Sequence, residues 1–498
     1  FFVFALFALC VCCAIIYLIS RSLTPSVLDG HFLSFQRIYL AVYCLAVAGD
    51  WLQGPHVYAL YESYWGPHVY ALYESYWMTK HQIELLFIAG FGSSLFFGLL
   101  FIAGFGSSLF FGTFIGSIAD KFGRKANCLL YALLYGVSCV TKHFADFNIL
   151  LIGRLMGGIA TSILFSAFES WLVFEHRKRG FSDQSLKQRG FSDQSLKQIF
   201  ANATLANSLI AILAGITAQA AANAFGFVAP FDCAFVVLIA PFDCAFVVLI
   251  VMALLMAFTW TENYGDERAN LAQTFGEAFN TIRNDQRILC LGLAQRILCL
   301  GLAQSLFEGS MYVFVLEWTP ALSRASETGT IPHGFIFASF MLSVMMGASF
   351  MLSVMMGSAV FNLLSQYNRP ESFMRFVFLV ASLLMCAPVL FPSSSTIIFI
   401  SFALFEVCVG IFWPAMGFLR SQYIPEKTRS TTMNFFRVPL NLLVIGILWN
   451  NFHLDTIFKF CFCFLLSAAF IQHAIARRLE KIDKEQREDS TEETAERR

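Results

Sequence analysis

Six ionisable side chains lie inside the long apolar runs of this 498-residue sequence. Where such a run crosses a membrane, an ionised group within it costs at least about 2.5 to 3.5 kcal/mol on insertion scales. Each group therefore needs a partner of opposite charge or a water-filled cavity. Four acids and two bases in one chain predict a shared, wet interior. They are Asp50, Arg154, Glu169, Glu308, Glu406 and Arg437.

The spacing around two of these groups predicts a pair. Arg154 is followed by Gly158 and Glu406 is followed by Gly410, four residues on in each case. The two opposite charges are therefore expected at matching depths in the fourth and tenth spans. At that depth they could pair across a central cavity.

Two of the acids also have a purely structural interpretation. Glu169 and Glu406 could each neutralise an arginine, either one of the two named above or Arg420. Arg420 itself lies near the inner end of its span. We expect its guanidinium to extend to the lipid headgroups.

The composition is that of an integral membrane protein. Hydrophobic residues make up 57% of the chain and charged residues 13%, whereas about a quarter of the residues are charged in soluble domains. The formal net charge is zero, which gives no sign of a nucleic-acid partner. The sequence has no phosphate-binding loop, no GxSxG or HExxH motif and no cysteine spacing typical of zinc, so we expect neither an enzyme nor a cofactor.

Six segments of the sequence occur twice in tandem, the first being GPHVYALYESYW at 54–65 and again at 66–77. The second repeat makes residues 83–118 one apolar run. As a single helix this run would be about 54 Å long, against roughly 30 Å of hydrocarbon. We therefore interpret the repeats as errors of gene assembly. With single copies, the chain has twelve spans and one further N-terminal apolar segment.

Loop charge and loop length divide the chain into five parts. Lysines and arginines gather in alternate loops, which assigns those loops to the cytoplasm. A polar stretch separates six spans from six, and its length suits a linker. The predicted parts are an N-terminal hydrophobic anchor and linker at 1–37, a six-helix bundle at 38–260, a cytoplasmic linker at 261–286, a second six-helix bundle at 287–476 and a charged, disordered tail at 477–498.

Two motifs and several longer segments resemble a known family. GSIADKFGRK at 116–125 and IGRLMGG at 152–158 resemble signatures of the major facilitator superfamily. GDWLQGPHVYALY at 49–61 and IPEKTRSTTMNFFRVPL at 424–440 are similar to segments of the molybdate-anion transporters within it. The resemblance implies an all-α membrane protein with the major facilitator fold, in which two six-helix bundles surround a central cavity. It also implies a secondary active carrier of molybdate, working by alternating access in the plasma membrane.

The resemblance gives several residues expected roles. The first motif implies a gating loop that contains Gly116, Asp120, Gly123 and Arg124. Molybdate is a tetrahedral dianion, and guanidinium groups donate charge-assisted hydrogen bonds that suit its oxygens. The candidate ligands are the guanidinium groups of Arg154 and Arg437, with Asn202, Asn207, Asn434 and Asn441 as neutral donors.

Uptake of a dianion would need coupling, because an inside-negative potential opposes each charge by about 2.3 kcal/mol per 100 mV. Buried carboxyl groups that bind protons outside and release them inside would provide it. The candidates are Asp50, Glu308 and Glu406, and Glu169 is either a fourth candidate or a charge partner. Two alternatives remain open: a carrier of another small anion such as sulfate, and a transport-inactive membrane sensor or scaffold.

Overall fold

The computed structural model describes residues 2–23, 30–53, 102–112, 114–144, 146–180, 194–225, 241–265, 290–326, 333–355, 370–450 and 452–496. Within these ranges all regular secondary structure is helical. Both copies of the first tandem repeat, at 54–77, lie outside the described residues. The part of the predicted linker that follows Gly265 also lies outside them.

Nine helices form the first part of the described chain, up to the predicted linker. Apolar composition favours helices here, because a helix satisfies its own backbone hydrogen bonds inside a bilayer. They are α1 (Phe2–Leu23), α2 (Gly30–Gln53), α3 (Ile102–Gly112), α4 (Phe114–Phe122), α5 (Arg124–Thr141), α6 (Phe147–Leu164), α7 (Ala167–Lys178), α8 (Gln194–Phe225) and α9 (Pro241–Thr259).

Seven helices form the described part that follows the linker. A short 3-10 turn, Glu426–Thr428, joins the fifth of them to the sixth. They are α10 (Cys290–Ala325), α11 (His333–Met355), α12 (Pro370–Leu384), α13 (Ala387–Leu390), α14 (Ser395–Tyr423), α15 (Arg429–Asn450) and α16 (Leu454–Glu496).

Helix starts follow from local capping residues. The side chain of Asp146 accepts hydrogen bonds from the backbone N–H groups of Asn148 and Ile149, at 2.9 and 3.1 Å, and so begins α6. Ser394 begins α14 in the same way, through the N–H of Ile397 at 3.4 Å. Both caps lie at the end opposite to the basic loops, where the backbone donors would otherwise have no partner inside the helix.

Many of the described helices are suited to a membrane. They provide seven spans that are long and apolar enough to cross it, or eight if α3 and α4, which meet at an angle of 47°, count as one span. Two of the seven, Asn148–Lys178 and Ser372–Leu390, each combine two consecutive helices. Three shorter apolar helices, Phe4–Ile15, Cys244–Thr259 and Ile336–Ser349, add to these. The all-helical membrane architecture predicted from the sequence is confirmed.

The helices pack as two groups that meet along a central interface. In the first group α2 packs against α8 and α9, and α5 packs against α6 and α9. In the second group α10 packs against α15 and α16, while α14 packs against α11 and α12. Helix α8 contacts both α11 and α14 and so joins the groups, which we call the N-terminal and C-terminal bundles. The additional N-terminal helix, α1, packs against α11 of the C-terminal bundle.

Two predicted boundaries fall inside helices. Helix α2 already begins at Gly30, so the predicted division between residues 37 and 38 lies within its first turns. Helix α16 continues to Glu496, so the tail that we expected to be disordered has a helical backbone. The physical reason lies in the sequence of that tail, which places acids and bases four residues apart, as Glu480 and Lys484 do; such spacing stabilises a helix.

Candidate functional site: a charged cavity between the bundles

A cavity of about 470 Å³ lies between the two bundles. Its wall takes residues from α2, α3, α5, α6, α7 and α8 on one side and from α10, α11, α14 and α15 on the other. The six ionisable residues that the sequence placed inside apolar runs all contribute to this wall: Asp50, Arg154, Glu169, Glu308, Glu406 and Arg437. The predicted common interior is therefore present.

The wall also contains two cations that the sequence did not assign to the site, Lys142 and Arg420. With them, the described wall has four carboxylates and four cations, so the formal charges sum to zero. The arrangement of these charges, and not an excess of one sign, decides which groups can bind a ligand.

One ion pair connects the bundles across the cavity. Arg420 of α14 donates from Nε and Nη2 to the two carboxylate oxygens of Glu169 in α7, at 2.9 and 2.6 Å. Arg420 is only 4% exposed, so the expectation that it extends to the lipid headgroups is wrong. The carboxylate of the opposite bundle draws the guanidinium inward and satisfies it there. This geometry favours the structural interpretation of Glu169.

Arg437 of α15 has very different surroundings. It is 4% exposed, and its guanidinium lies over the ring of Phe165, 4.7 Å from the ring centroid. The Tyr312 hydroxyl is its polar neighbour. The buried Nε has no hydrogen-bond acceptor, and no carboxylate of the described chain lies within 4.0 Å to form an ion pair with it. Arg437 therefore brings a buried positive charge to the wall that no carboxylate contacts directly, although Glu308 and Asp50 lie near enough to interact with it through space.

The break between α6 and α7 positions Phe165. Helix α6 ends at Leu164, and the chain resumes as α7 at Ala167. Phe165 itself has φ −85° and ψ 0°, and the hydroxyl of Ser166 donates to the carbonyl of Ser162 at 2.7 Å. The ring thus projects toward α15 from a fixed turn in the opposite bundle.

Lys142 is folded back onto the end of α5. Its Nζ donates to the carbonyl and to the hydroxyl of Ser138, both at 3.1 Å, and the side chain is 4% exposed. Lys142 was not among the residues that the sequence predicted for the cavity. The only signal for its true position was the serine four residues earlier on the same helix face.

Arg154 also lines the cavity, but the pair predicted with Glu406 does not form. Glu406 makes no ion pair and accepts no hydrogen bond from any residue that the structure describes, and it is 4% exposed. Matching depth in the two bundles brought both groups to one wall without bringing them into contact.

The other two cavity acids each have a neutral hydrogen-bond donor. The hydroxyl of Tyr135 donates to Asp50 Oδ1. The side-chain amide of Gln304 donates to Glu308 Oε1 at 2.7 Å. Tyr135 and Gln304 were not singled out in the sequence, although Gln304 precedes Glu308 by one helical turn. Asp50, Glu308 and Glu406 thus lie on one wall in three different environments.

The four asparagines separate into two groups. Asn207 lines the cavity and accepts a hydrogen bond from Trp51 Nε1 at 3.0 Å. Asn434 donates to Ser166 Oγ at 3.0 Å, and Asn441 donates to Ser108 Oγ at 3.2 Å, so both join the bundles. Neither they nor Asn202 belong to the described wall of the cavity. Their expected role as ligands stays a prediction.

A second group of charges joins the bundles at the end that loop charge assigns to the cytoplasm. We call it the cytoplasmic clamp; its members are Asp120, Arg124, Arg177, Glu426 and Arg429. Arg124 donates from Nη1 to Glu426 Oε1 at 2.7 Å and from Nη2 to Asp120 Oδ1 at 3.1 Å. Arg177 Nη1 and Arg429 Nη2 lie 3.4 and 3.2 Å from Glu426 Oε2. Every member of the clamp therefore has an oppositely charged partner.

Asp120 also caps helix α15 of the opposite bundle. Its Oδ2 accepts hydrogen bonds from the backbone N–H and the hydroxyl of Thr431, both at 3.0 Å. The N-terminus of a helix has a partial positive charge, so a carboxylate is stabilised there. Gly116 permits this approach, because a Cβ on it would lie 2.8 Å from Ser430 O and Thr431 Cα. The two bundles are in direct contact here.

Gly123 shapes the turn between α4 and α5. Its φ of +115° lies in a region that favours glycine. The turn presents the backbone N–H groups of Lys125 and Ala126 to the carboxylate of Glu262, at 2.7 and 3.0 Å. The four residues assigned to a gating loop thus form or support the contact between the bundles, and gating itself stays a prediction.

The charge of Glu426 is well stabilised in the clamp. Burial raises the pKa of its carboxyl, but the combined effect of Arg429, Arg124 and Arg177 is larger, and the pKa lies below the ordinary value of 4.5. The clamp therefore keeps its negative charge throughout the neutral and mildly acidic range.

Comparison with known proteins gives the family. The chain matches a family described as sugar transporters with twelve transmembrane segments, over residues 1–65, 65–100 and 97–410. A molybdate-anion transporter of Xenopus laevis is 31% identical over 422 residues, which is 84% of this chain and 79% of the relative. That of Danio rerio is 28% identical over 449 residues, which is 86% of this chain and 82% of the relative.

This chain belongs to the molybdate-anion transporter family of the major facilitator superfamily. Its fold agrees with two solved structures of that superfamily. The human organic anion transporter MFSD10 covers 89% of this chain over 100% of its own, with a TM-score of 0.63 and 15% identity. The proton:xylose symporter XylE covers 89% of this chain over 95% of its own, with a TM-score of 0.60 and 11% identity. The relatives of this family are named transporters and not enzymes.

The family match also bears on the tandem repeats. It is interrupted near residue 65 and again between 97 and 100. These are the positions at which the first copies of GPHVYALYESYW and LLFIAGFGSSLFFG meet the second copies. Breaks at these two positions favour the interpretation that one copy of each repeat is additional to the pattern of the family.

Proposed function

We propose that this chain is a secondary carrier that moves molybdate across the plasma membrane through the charged cavity, by alternating access. The observation that carries the proposal is Arg437, a buried guanidinium on the cavity wall without a carboxylate partner in the described chain. A guanidinium in such a site gains strongly from an oxyanion, because its donors are already desolvated. The names of the curated relatives supply the substrate, molybdate.

In the proposed bound state, molybdate oxygens accept hydrogen bonds from Arg437 and from Arg154 on the opposite bundle. The Tyr312 hydroxyl beside Arg437 would orient the guanidinium or donate to a third oxygen. Glu169 and Arg420 stay paired and keep the two bundles in register. In this arrangement the ligand itself joins the bundles, which is how binding would influence their relative position.

The charge balance of the wall supports a role for protons. The described wall is formally neutral, so a bound dianion would leave two uncompensated negative charges. Two protons on the carboxyls of Asp50, Glu308 or Glu406 would restore neutrality. This would also remove the electrical cost of uptake, about 2.3 kcal/mol per charge per 100 mV.

Alternating access would require the cytoplasmic clamp to open. In the present arrangement the clamp and the Asp120–Thr431 contact hold the bundles together at the cytoplasmic end. Rocking of the bundles would separate Arg124 from Glu426 and release the substrate inward. The clamp would then form again around the empty carrier.

Uptake into proteoliposomes tests the proposal. The full chain is reconstituted, and isotopically labelled molybdate is measured inside by mass spectrometry, with sulfate as a competitor and with Arg437→Gln as the matched variant. We expect saturable uptake that falls at least 30-fold in the variant, since one charge-assisted interaction contributes about 2 to 3 kcal/mol. Equal uptake by wild type and variant would contradict the site, and no uptake above empty liposomes would favour the sensor or scaffold.

The same assay distinguishes substrate and coupling. A fall of labelled uptake by about half with equimolar sulfate, at saturating concentrations, would mean that the site binds both anions equally and accepts tetrahedral oxyanions in general. Uptake that is the same at external pH 5.5 and 7.5 would remove the proposed proton coupling without affecting the anion site.

A further inference from the structure

The cavity is much larger than a tetrahedral oxyanion needs. Molybdate has five heavy atoms and occupies roughly the space of two or three water molecules, each of which takes about 30 Å³ in the liquid. The cavity measures about 470 Å³, which falls in the range of pockets that bury an organic ligand, about 300 to 1,000 Å³. Most of the space is therefore not used by the proposed substrate.

Aromatic rings line that space next to the unpaired guanidinium. Phe165 is stacked on Trp413, with ring centroids 5.7 Å apart and an interplanar angle of 18°. The guanidinium of Arg437 lies over the same Phe165 ring. All three residues line the cavity, and they come from both bundles. A cation, a ring and a second ring thus follow one another along the wall.

A second aromatic pair lines the same cavity. Phe105 and Tyr312 meet edge to face, with centroids 5.8 Å apart, and both line the cavity. Tyr312 also lies beside Arg437. Aromatic groups are attracted to such arrangements by about 0.5 to 1.5 kcal/mol beyond the area that they bury. The space beside Arg437 is therefore suited to a flat ring that has an acidic group at one end.

Charge selects a monoanion for this position. Arg420 is neutralised by Glu169, and Arg437 is the buried guanidinium for which the described chain supplies no carboxylate. One carboxylate pairs with one guanidinium in a bidentate geometry. Because the described wall is formally neutral, a bound monoanion leaves one uncompensated negative charge, whereas a dianion leaves two.

We propose that the cavity also binds and carries aromatic carboxylate monoanions, with the carboxylate on Arg437 and the ring against the Phe165–Trp413 stack. This inference depends on the proposed function only in that both use the same cavity. Molybdate and an aromatic carboxylate would therefore exclude each other, since both require Arg437.

The test uses 4-aminohippurate, an aromatic carboxylate with low passive permeability, in the same proteoliposomes of the full chain. We expect saturable uptake of labelled 4-aminohippurate and mutual competition with molybdate. Cyclohexanecarbonylglycine and hippurate form a matched pair of competitors, because they share the carboxylate and differ in the aromatic character of the ring. We expect hippurate to compete at least 5-fold better.

Two variants connect the uptake to the aromatic wall. Trp413→Leu removes one ring of the stack and should lower the ratio of 4-aminohippurate uptake to molybdate uptake about 10-fold. Trp449→Leu is the matched control, because Trp449 lies on α15 away from the cavity and is 68% exposed. It should leave the ratio at the wild-type value.

The outcomes separate this inference from the proposed function. Molybdate uptake without 4-aminohippurate uptake would overturn the inference and leave the proposed function intact. Uptake of 4-aminohippurate with an unchanged ratio in Trp413→Leu, or with equal competition by the saturated analogue, would overturn the aromatic site. Uptake of neither anion would contradict both proposals.

Discussion

The central cavity and the cytoplasmic clamp both bury charges between the bundles, but they satisfy those charges differently. In the clamp, Glu426 alone receives three arginines, and Asp120 accepts from a helix N-terminus as well as from Arg124. In the cavity, Arg437 has no carboxylate partner among the described residues. Buried charges that are fully paired hold a structure together, whereas a buried charge without a partner is available to a ligand. The five predictions that follow test this difference.

Removal of a clamp arginine should cause the largest loss of stability. Arg124→Ala removes the charge partner of Asp120, which is fully buried, and one of the three arginines around Glu426, whose side chain is 25% exposed. Loss of one partner of a buried pair costs about 3 to 5 kcal/mol. Thermal unfolding of the purified protein in detergent measures the effect.

An exposed ion pair of similar geometry is the control for that measurement. Arg324 lies 2.8 Å from Asp455, with side chains 38% and 50% exposed. Arg324→Ala should cost less than about 1 kcal/mol because water screens the pair. Equal losses for Arg124→Ala and Arg324→Ala would mean that the clamp does not stabilise this state.

The ion pair inside the cavity should behave like the clamp. Glu169→Gln leaves the charge of Arg420 buried and should destabilise the protein by about 3 kcal/mol, the lower end of the range for a buried pair, because the Glu169 side chain is 13% exposed. The double variant with Arg420→Gln should recover most of this loss, since neither charge then remains unpaired. Strictly additive losses in the thermal unfolding of the three variants would assign Glu169 a role other than that of charge partner.

The contact at Gly116 should affect the clamp by a smaller amount. Gly116→Ala places a methyl group 2.8 Å from backbone atoms of α15, a strain of about 1 to 3 kcal/mol against the closed cytoplasmic end. Ser170 of α7 is fully buried at this contact, where its hydroxyl accepts a hydrogen bond from the Ser430 hydroxyl at 3.1 Å. In a Ser170→Cys background, Gly116→Ala should make maleimide labelling of the introduced cysteine several-fold faster. Gly446→Ala is the control, because nothing lies within 4 Å of its added Cβ. Equal labelling rates in the two variants would mean that Gly116 does not contribute to closing the cytoplasmic end.

Mild acid should affect the clamp least. The folded-state pKa of Glu426 lies below its ordinary value of 4.5, so the stability it contributes is complete above about pH 5.5 and is lost only as the pH falls through the lowered value. We expect the unfolding temperature of wild type to be the same, within error, at pH 7.5 and at pH 5.5. The same should hold for Glu426→Gln. A pH dependence of uptake in that range would then belong to the cavity. If the stability of wild type changed between these pH values and that of Glu426→Gln did not, the pH dependence would be assigned to the clamp.

Much of the cavity could be predicted from single positions in the sequence. An ionisable residue inside a membrane span is too costly to face lipid, and this alone assigned Asp50, Glu308 and Arg437 to an interior wall. The ion pair of Arg420 was missed because it depends on a contact between distant parts of the chain. Arg420 lies where an arginine can extend to headgroups, and its partner Glu169 is 251 residues away. The residues around Arg420 in the sequence do not show whether its guanidinium extends to the headgroups or pairs with an acid of the other bundle.

The asparagines show a second limit. Asn434, Arg437 and Asn441 are three and four residues apart, so they share one face of α15. That face looks toward the opposite bundle, where the short amide side chains reach Ser166 and Ser108. The longer arginine side chain reaches the cavity instead. The sequence gives the shared face but not the distance to the neighbouring helix.

The architecture was predictable where apolar runs had ordinary lengths. Helices α14 and α15 follow directly from such runs and from the cap at Ser394. The end of α16 was not predictable in this way, because the charged composition of the tail suggested disorder, whereas the spacing of its charges favours a helix. Composition averages over a segment, whereas helix stability depends on which residues are four positions apart.

Direct binding of molybdate tests the central claim, that the unpaired guanidinium is the anion site. Thermal unfolding of the purified protein is measured over a series of molybdate concentrations for wild type, Arg437→Gln and Arg324→Gln, because a ligand that binds the folded state raises the unfolding temperature with its concentration. We predict that Arg437→Gln requires at least 30-fold more molybdate than wild type for the same rise, whereas Arg324→Gln does not differ from wild type. The same concentration dependence in Arg437→Gln and wild type would contradict the claim.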